Sequence, residues 1–172
     1  MRLAENPDNA LRNYLQRSRP ELEVDDTRIE AIGLGDEVVR YGYSGRLLRF
    51  AQRTGDTLSF RLSVEFPSLP LRIPGQEREV PVWLSEPLTW RQHSVFEVPD
   101  GARVAEVPGS TRLDSPWGTV EIDVRERRDA LVCEVEVVFA GGRVTEEQLP
   151  RFAEFARDAQ QALDQRILLE WP

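Results

Sequence analysis

Strict alternation of apolar and polar residues indicates that the middle of this chain is β structure. The clearest case begins at Leu58, where every second residue up to Phe66 is apolar and the residues between are polar. Successive side chains of a strand lie on opposite faces, so this pattern predicts one buried face and one wetted face. The same alternation predicts one strand at Pro87–Val98 and a hairpin of two strands within Thr119–Phe139.

The predicted hairpin has a definite register. A short loop at Glu126–Asp129 pairs Ile122 with Cys133 and places Glu121 opposite Glu134 on the outer face. A slip by one residue would turn the apolar side chains into water, so the burial pattern opposes it. Two carboxylates directly opposed across a sheet repel each other mildly. They are interpreted either as a solvated pair relieved by a nearby arginine or as a weak cation or partner site.

Helical spacing occurs near both ends of the chain. Apolar residues recur at three-to-four spacing between Pro7 and Arg19, including Tyr14 on the predicted apolar stripe, and Pro20 ends this helix. Thr145-Glu146-Glu147-Gln148 has a capping-box pattern and predicts a helix to about Gln165. The residues after it predict only a short terminal apolar segment.

Short strands separated by Gly and Pro turns, with helices only near the ends, predict a mainly β fold. The expected architecture is an antiparallel β-sandwich with a short N-terminal helix and a C-terminal helix packed on it. A chain of 172 residues is long enough for one domain with a real core. We therefore expect a single domain over 1–172. Within it, residues 1–19 form the leading helix, residues 20–140 the sandwich, and residues 141–172 the C-terminal helix and tail. The leading helix could also be the remnant of a preceding domain.

Composition excludes some classes of function. The formal net charge is −8, and Arg125-Glu126-Arg127-Arg128 is the nearest approach to a basic cluster, so nucleic-acid binding is not expected. No apolar run reaches the roughly 20 residues of a membrane-spanning helix. The N-terminus lacks the apolar segment of a signal peptide. That absence fits a cytoplasmic protein and fits equally well a fragment of an exported one, so the compartment stays open.

The residues that carry reactive groups are few. Cys133 lies in mid-strand among apolar residues, which favours a core cysteine over a thiol nucleophile in a small hydrolase. His93 lies on the polar face of its strand beside Arg91, which favours a solvated side chain. With one cysteine and one histidine, a structural zinc site is not expected. We expect no catalytic residues, no cofactor and no metal.

Aromatic residues offer a second candidate chemistry. Trp90 is in phase with the core, whereas Trp83 lies in a predicted edge strand and Trp117 in a predicted loop. The favoured interpretation of these rings is packing in the core or at the rim of the sandwich. Exposed rings on a sandwich can instead stack on sugars or form interfaces. A carbohydrate-binding module using a surface tryptophan is therefore an alternative function. The candidate surface-binding residues are Trp117, Trp83, His93, Glu121 and Glu134.

A run of turns and strands resembles a known family. The run consists of Arg78–Leu84, Phe96–Gly101 and Val107-Pro108, followed by the hairpin and the helix Thr145–Arg166. It is similar to the C-terminal β-sandwich region of bacterial multidomain transglutaminase-like proteins that have an N-terminal β-rich domain of unknown function. The resemblance covers about Leu22 to Ile167 and contains no catalytic signature.

The resemblance gives the chain a context. In that family the catalytic core carries Cys, His and Asp in that order, whereas here the sole histidine precedes the sole cysteine, so no catalytic residue is carried over. The resemblance implies a non-catalytic accessory domain that packs on a neighbouring domain or protein partner. It also implies a place in the bacterial cell envelope.

Overall fold

The computed structural model of the protein describes residues 7–31, 40–62, 81–84 and 87–171. The predicted mainly β fold with antiparallel sheets, a short N-terminal helix and a C-terminal helix is confirmed. The chain forms two compact units, Met1–Phe50 and Ala51–Pro172. The single-domain organisation stays a prediction.

The first unit is a helix packed on a two-stranded ribbon. Helix α1 (Pro7–Ser18) precedes the antiparallel strands β1 (Leu22–Ala31) and β2 (Arg40–Leu47). Leu11 and Leu15 of α1 form a buried cluster with Leu22 and Val24 of β1. Tyr14, predicted on the same apolar stripe, is instead 61% exposed, so the stripe is narrower than the spacing indicated.

A bulge in β1 shapes this ribbon. The pairing shifts between Val24 and Asp26, which leaves Asp25 as an extra residue. Arg12 of α1 donates hydrogen bonds to the carbonyl oxygens of Val24 and Asp25, the second at 3.0 Å. The glycine opposite Val24 is Gly45, where a Cβ atom would lie 2.4 Å from the backbone oxygen of Glu23. The helix therefore satisfies backbone groups that the bulge exposes.

The second unit contains the remaining elements. Its strands are β3 (Ala51–Thr54), β4 (Thr57–Arg61), β5 (Val82–Leu84), β6 (Leu88–Glu97), β7 (Arg103–Glu106), β8 (Thr111–Ser115), β9 (Gly118–Arg127), β10 (Ala130–Phe139), β11 (Gly142–Val144) and β12 (Arg166–Glu170). Helix α2 (Leu149–Leu163) follows a 3-10 turn at Glu146–Gln148. The sheets have the strand orders β6-β10-β9-β8 and β3-β4-β12-β7, with β5 and β11 forming a separate pair. Every pairing is antiparallel.

The two four-stranded sheets pack face to face, as predicted for a sandwich. The ring of Phe60 on β4 lies 5.1 Å from that of Phe96 on β6, measured between centroids. Gln92 of β6 donates a hydrogen bond to the Leu62 carbonyl oxygen at 3.3 Å. Inward residues of β9 and β10, among them Ile122, are almost completely buried between these layers.

The predicted register of the β9–β10 hairpin is wrong by two residues. The turn is Arg128-Asp129, so Cys133 pairs with Val124 rather than Ile122. The strands continue to a two-residue turn, whereas the prediction had a four-residue loop. A shift of two keeps every side chain on its predicted face, because strand side chains alternate with a period of two. Burial alone therefore does not distinguish the two registers.

The terminal apolar segment is the central strand β12 of the second sheet. It pairs with β4 on one side and β7 on the other, and Ile167 is completely buried. Helix α2, which precedes it, closes part of the sandwich. The ring of Phe152 contacts Trp117 edge-on with centroids 5.5 Å apart, and Phe155 lies 6.1 Å from Phe139.

Other predicted local features have varied outcomes. The Thr145 backbone N–H donates to the Gln148 side-chain oxygen at 3.0 Å, which is the reciprocal half of a capping box. The edge strand predicted over Val80–Leu84 is present at Val82–Leu84, where it pairs with β11. The predicted end of the strand at Phe66 and most of the proline-rich segment up to Pro81 lie outside the described residues.

Candidate functional site

The outer face of the sheet β6-β10-β9-β8 is lined by charged side chains. Alternation places the apolar residues of β9 and β10 inward and their polar neighbours outward. These polar neighbours line an open groove of about 800 Å³. The charged residues that line this groove are Arg91, Arg112, Glu121, Asp123, Arg125, Glu134 and Glu136, and His93 lies among them.

One row of four charges crosses the whole sheet. The registers place Arg91, Glu136, Glu121 and Arg112 side by side on four neighbouring strands. Arg91 Nη2 lies 2.6 Å from Glu136 Oε1, and Arg112 Nη1 lies 3.4 Å from Glu121 Oε2. The two central carboxylates are directly opposed, and an arginine on each side relieves their repulsion.

Arg112 is held by two carboxylates. Its Nε lies 2.9 Å from Asp114 Oδ2, in addition to its contact with Glu121. The hydrogen bond to Asp114 and the negative charges of both carboxylates raise the pKa of the Arg112 guanidinium above its ordinary value. This arginine is therefore a permanent positive charge at the β8 edge of the outer face.

A second row lies one step along the strands. His93 Nδ1 is 3.5 Å from Glu134 Oε1, and Glu134 faces Asp123 across the β9–β10 pair. Arg125 Nη2 lies 2.5 Å from Asp123 Oδ2 and 3.9 Å from Glu134 Oε2. Ser110 Oγ donates a 2.8 Å hydrogen bond to Asp123 Oδ1. His93 and Ser110 lie at opposite ends of the row, roughly 14 Å apart at three strand spacings, so they do not form a base–nucleophile pair.

The structure separates the predicted pair Glu121 and Glu134. Because the register is shifted by two residues, Glu121 faces Glu136 and Glu134 faces Asp123. Both residues, with His93, line the outer face. Sequence reasoning missed their partners Asp123 and Glu136, whose places depend on the turn. A binding role for any of these residues stays a prediction.

Cys133 is buried in the middle of β10. Its exposed fraction is 0%, and its register partners are Ser94 and Val124. Burial raises the pKa of the thiol from an ordinary 9.0 to about 11. A thiol nucleophile needs access and a thiolate, so neither observation favours the Cys-dependent hydrolase.

The two candidate surface tryptophans have opposite environments. Trp117 is only 7% exposed and its ring packs on Phe152, which fits core or rim packing rather than a surface ring. Trp83 is 75% exposed, and the guanidinium of Arg143 on the paired strand lies 6.0 Å from its ring centroid. Trp83 alone of this pair offers a ring to solvent.

A second groove lies between strand β8 and helix α2. It has a volume of about 410 Å³. Leu113, Trp117 and Phe155 supply its apolar part, and Glu154 and Asp158 supply charges from the helix. We call it the β8–α2 groove. Sequence analysis missed it because Thr111–Ser115 was not predicted as a strand, although its alternating pattern was a usable signal.

Metal sites and membrane-spanning helices were looked for in residues 7–31, 40–62, 81–84 and 87–171. Among those residues, no three side chains of the types that bind metal ions come together as a possible metal site. Within the same ranges, no helix has both the length and the apolar character needed to cross a membrane.

The fold and its surface define a mainly β protein built on an antiparallel sandwich, with a charged outer face and a helix-lined groove. Residues 56–169 match a family described as a domain of unknown function with a solved structure, DUF3858. The match covers more than half of the chain, so the chain belongs to this family. The family's description contains no link to transglutaminase-like proteins. No curated protein and no solved structure matches the chain.

Proposed function

We propose that this chain is a non-catalytic accessory domain that binds a protein partner through the outer face of its first sheet. The observation that carries the proposal is the ordered charge pattern of that face. Two acidic pairs occupy the central strands β9 and β10, and arginines flank one of them on the outer strands. Such a pattern offers complementary positions for both cations and anions of a partner.

The energetics of these charges suit recognition better than folding. The arginines of these ion pairs are between 62% and 74% exposed, and their carboxylate partners range from 28% for Asp123 to 57% for Asp114. Ion pairs this exposed contribute only about 0–1 kcal/mol each to stability. Charge patterns at interfaces instead determine orientation and exclude wrong partners.

The sequence resemblance supports a particular kind of partner. It relates residues 22–167 to the sandwich that accompanies a transglutaminase-like domain in bacterial envelope proteins. The partner we propose is therefore a neighbouring transglutaminase-like domain, in the same or another polypeptide, with the reactive chemistry supplied by that partner. Cys133 is buried and His93 contacts Glu134 rather than a nucleophile, which is consistent with this division of labour.

The proposal is tested by titrating isotope-labelled protein with a separately produced transglutaminase-like domain from a bacterial protein of the family that the sequence resembles. We expect saturable chemical-shift changes on the outer face. The double variant E121Q/E136Q should weaken binding by about three- to tenfold, since each exposed charge contributes up to about 1 kcal/mol. The matched control E126Q/D129N removes two exposed carboxylates from the end of the hairpin. Equal affinities of both variants and the wild type would contradict the proposal.

A carbohydrate-binding module is the second candidate, and the exposed ring of Trp83 is the observation that favours it. A sugar stacked on this ring would shield it from solvent. A glycan array, followed by fluorescence titration of wild type and Trp83→Ala, tests it. Binding that survives Trp83→Ala, or an empty array, removes this candidate.

A further inference from the structure

Among the described strands, β8 pairs along one backbone edge, and its other edge, which we call the open edge, lies beside helix α2. Strand β8 is the last strand of the sheet β6-β10-β9-β8, and in the described ranges β9 is the strand that pairs with it. The Pro116-Trp117 turn joins β8 to β9, with Ser115 paired to Gly118. The open edge is adjacent to the β8–α2 groove, which Leu113–Trp117 line on the strand side.

The backbone groups at this edge follow from antiparallel geometry. A two-residue turn makes the flanking pair, Ser115 and Gly118, a hydrogen-bonded pair. Hydrogen-bonded and non-hydrogen-bonded pairs then alternate along the strands. The N–H and C=O groups of Arg112 and Asp114 therefore point toward the open edge. Such an edge is a template on which another strand can pair.

The groove beside this edge has an apolar floor and an acidic helix wall. Leu113 is half-buried, and Trp117 and Phe155, each 7% exposed, lie beneath it as the floor. Glu154 and Asp158 are exposed, lie four residues apart on α2, and within the described residues neither forms an ion pair. Like charges at this spacing repel each other mildly, and a cation placed between them would relieve that repulsion.

Two other charges complete the surroundings of the groove. Asp114 is already paired with Arg112, at 2.9 Å from its Nε, so it offers little additional attraction for a cation. Arg151 lies on the same side of α2, three residues before Glu154. The unpaired negative charge of the groove is thus concentrated on the second and third turns of the helix.

We propose that the β8–α2 groove binds an extended basic segment of a partner protein, which adds to β8 as a fifth strand. Alternate side chains of the segment would face the groove, with an apolar side chain on Leu113 and Phe155 and flanking basic side chains near Glu154 and Asp158. This is the β-augmentation mode of peptide recognition. The inference rests on the proposed function in that it assumes a protein partner, but it concerns a different surface from the outer face.

The test uses the end-blocked peptide Arg-Thr-Val-Thr-Arg as the probe, titrated into isotope-labelled full-length protein. We expect saturable chemical-shift changes at Leu113 and Phe155. Hydrogen exchange of the backbone amides of Arg112 and Asp114 should slow by at least about fivefold. Only one set of alternate peptide amides can face β8. Two methylated peptides test this: one carries N-methyl groups on both threonines, and the other carries them on the valine and the second arginine. One of the two peptides should lose binding, and the other should largely keep it.

Variants of the protein separate charge from backbone pairing. E154Q/D158N should weaken probe binding by about fivefold, whereas the control E126Q/D129N should leave it unchanged. No saturable shift up to about 2 mM probe overturns the inference. Equal loss of binding with both methylated peptides also overturns it. Partner binding that maps only to the outer face would support the proposed function and contradict this groove.

Discussion

Replacing Ile167 by alanine tests the most consequential structural finding, that the terminal apolar segment is a central strand. Ile167 is completely buried and pairs with Phe60 of β4. Alanine in its place removes buried methyl and methylene groups and leaves a cavity between the sheets. Such substitutions cost roughly 2–5 kcal/mol. That is a large share of the about 5–15 kcal/mol by which a domain of this kind is stable.

Urea unfolding followed by tryptophan fluorescence measures this loss. With a slope of about 1–3 kcal/mol per molar urea, the midpoint should fall by roughly 1–2 M while the slope stays unchanged. The matched control is Leu168→Ala, the next residue, which lies on the other face of β12 and is only half-buried. Its cost should be clearly smaller. Equal losses, or a loss for Ile167→Ala below about 0.5 kcal/mol, would refute the central position of β12.

Three further outcomes are expected. Burial raises the pKa of Cys133 from 9.0 to about 11, so as pH rises the thiol ionises in the unfolded state before it does in the folded state. The free energy of unfolding should therefore fall by up to about 2–3 kcal/mol between these two pH values. Urea unfolding at several pH values measures the loss, and the Cys133→Ala variant, which has no thiol, should not show it. Gly45→Ala should destabilise the first unit by more than about 1 kcal/mol in thermal unfolding, since the new Cβ atom would lie 2.4 Å from the backbone oxygen of Glu23. The matched control Gly42→Ala has open space around the new Cβ atom and should change stability by less than about 0.5 kcal/mol. Arg12→Met should cost about 1–3 kcal/mol in the same assay, because the bulge carbonyls lose their donor, and an unchanged midpoint would show that water replaces it.

The outer face and the β8–α2 groove differ in what each can recognise. The outer face presents side chains of both signs, so it discriminates by charge arrangement. The groove presents a backbone edge, so hydrogen bonds to Arg112 and Asp114 would supply affinity, while its apolar floor and its acidic helix wall would select a basic segment. A domain with both surfaces can bind a folded neighbour and an extended segment at the same time. The E121Q/E136Q and E154Q/D158N variants separate these two proposed binding modes.

The local pattern of the sequence determined the fold class and most side-chain faces. Alternation predicted β4, β6, β9 and β10, and the capping-box sequence predicted the start of the C-terminal helical region, because these signals depend only on neighbouring residues. The inward position of Cys133 and the outward positions of Glu121, Glu134 and His93 follow from the same period of two. This much of the candidate outer face was available without the fold.

Tertiary structure alone decided which of these residues face one another. The register of β9 and β10 depends on the turn at Arg128-Asp129, and a shift of two residues has no burial signature, so the true partners Asp123 and Glu136 were missed. Ile167–Leu169 is too short to distinguish a strand from a tail until β4 and β7 pair with it. Trp117 follows a turn signal typical of the surface, yet α2 brings Phe152 against it. Each of these outcomes depends on contacts between residues far apart in the chain, which local periodicity does not record.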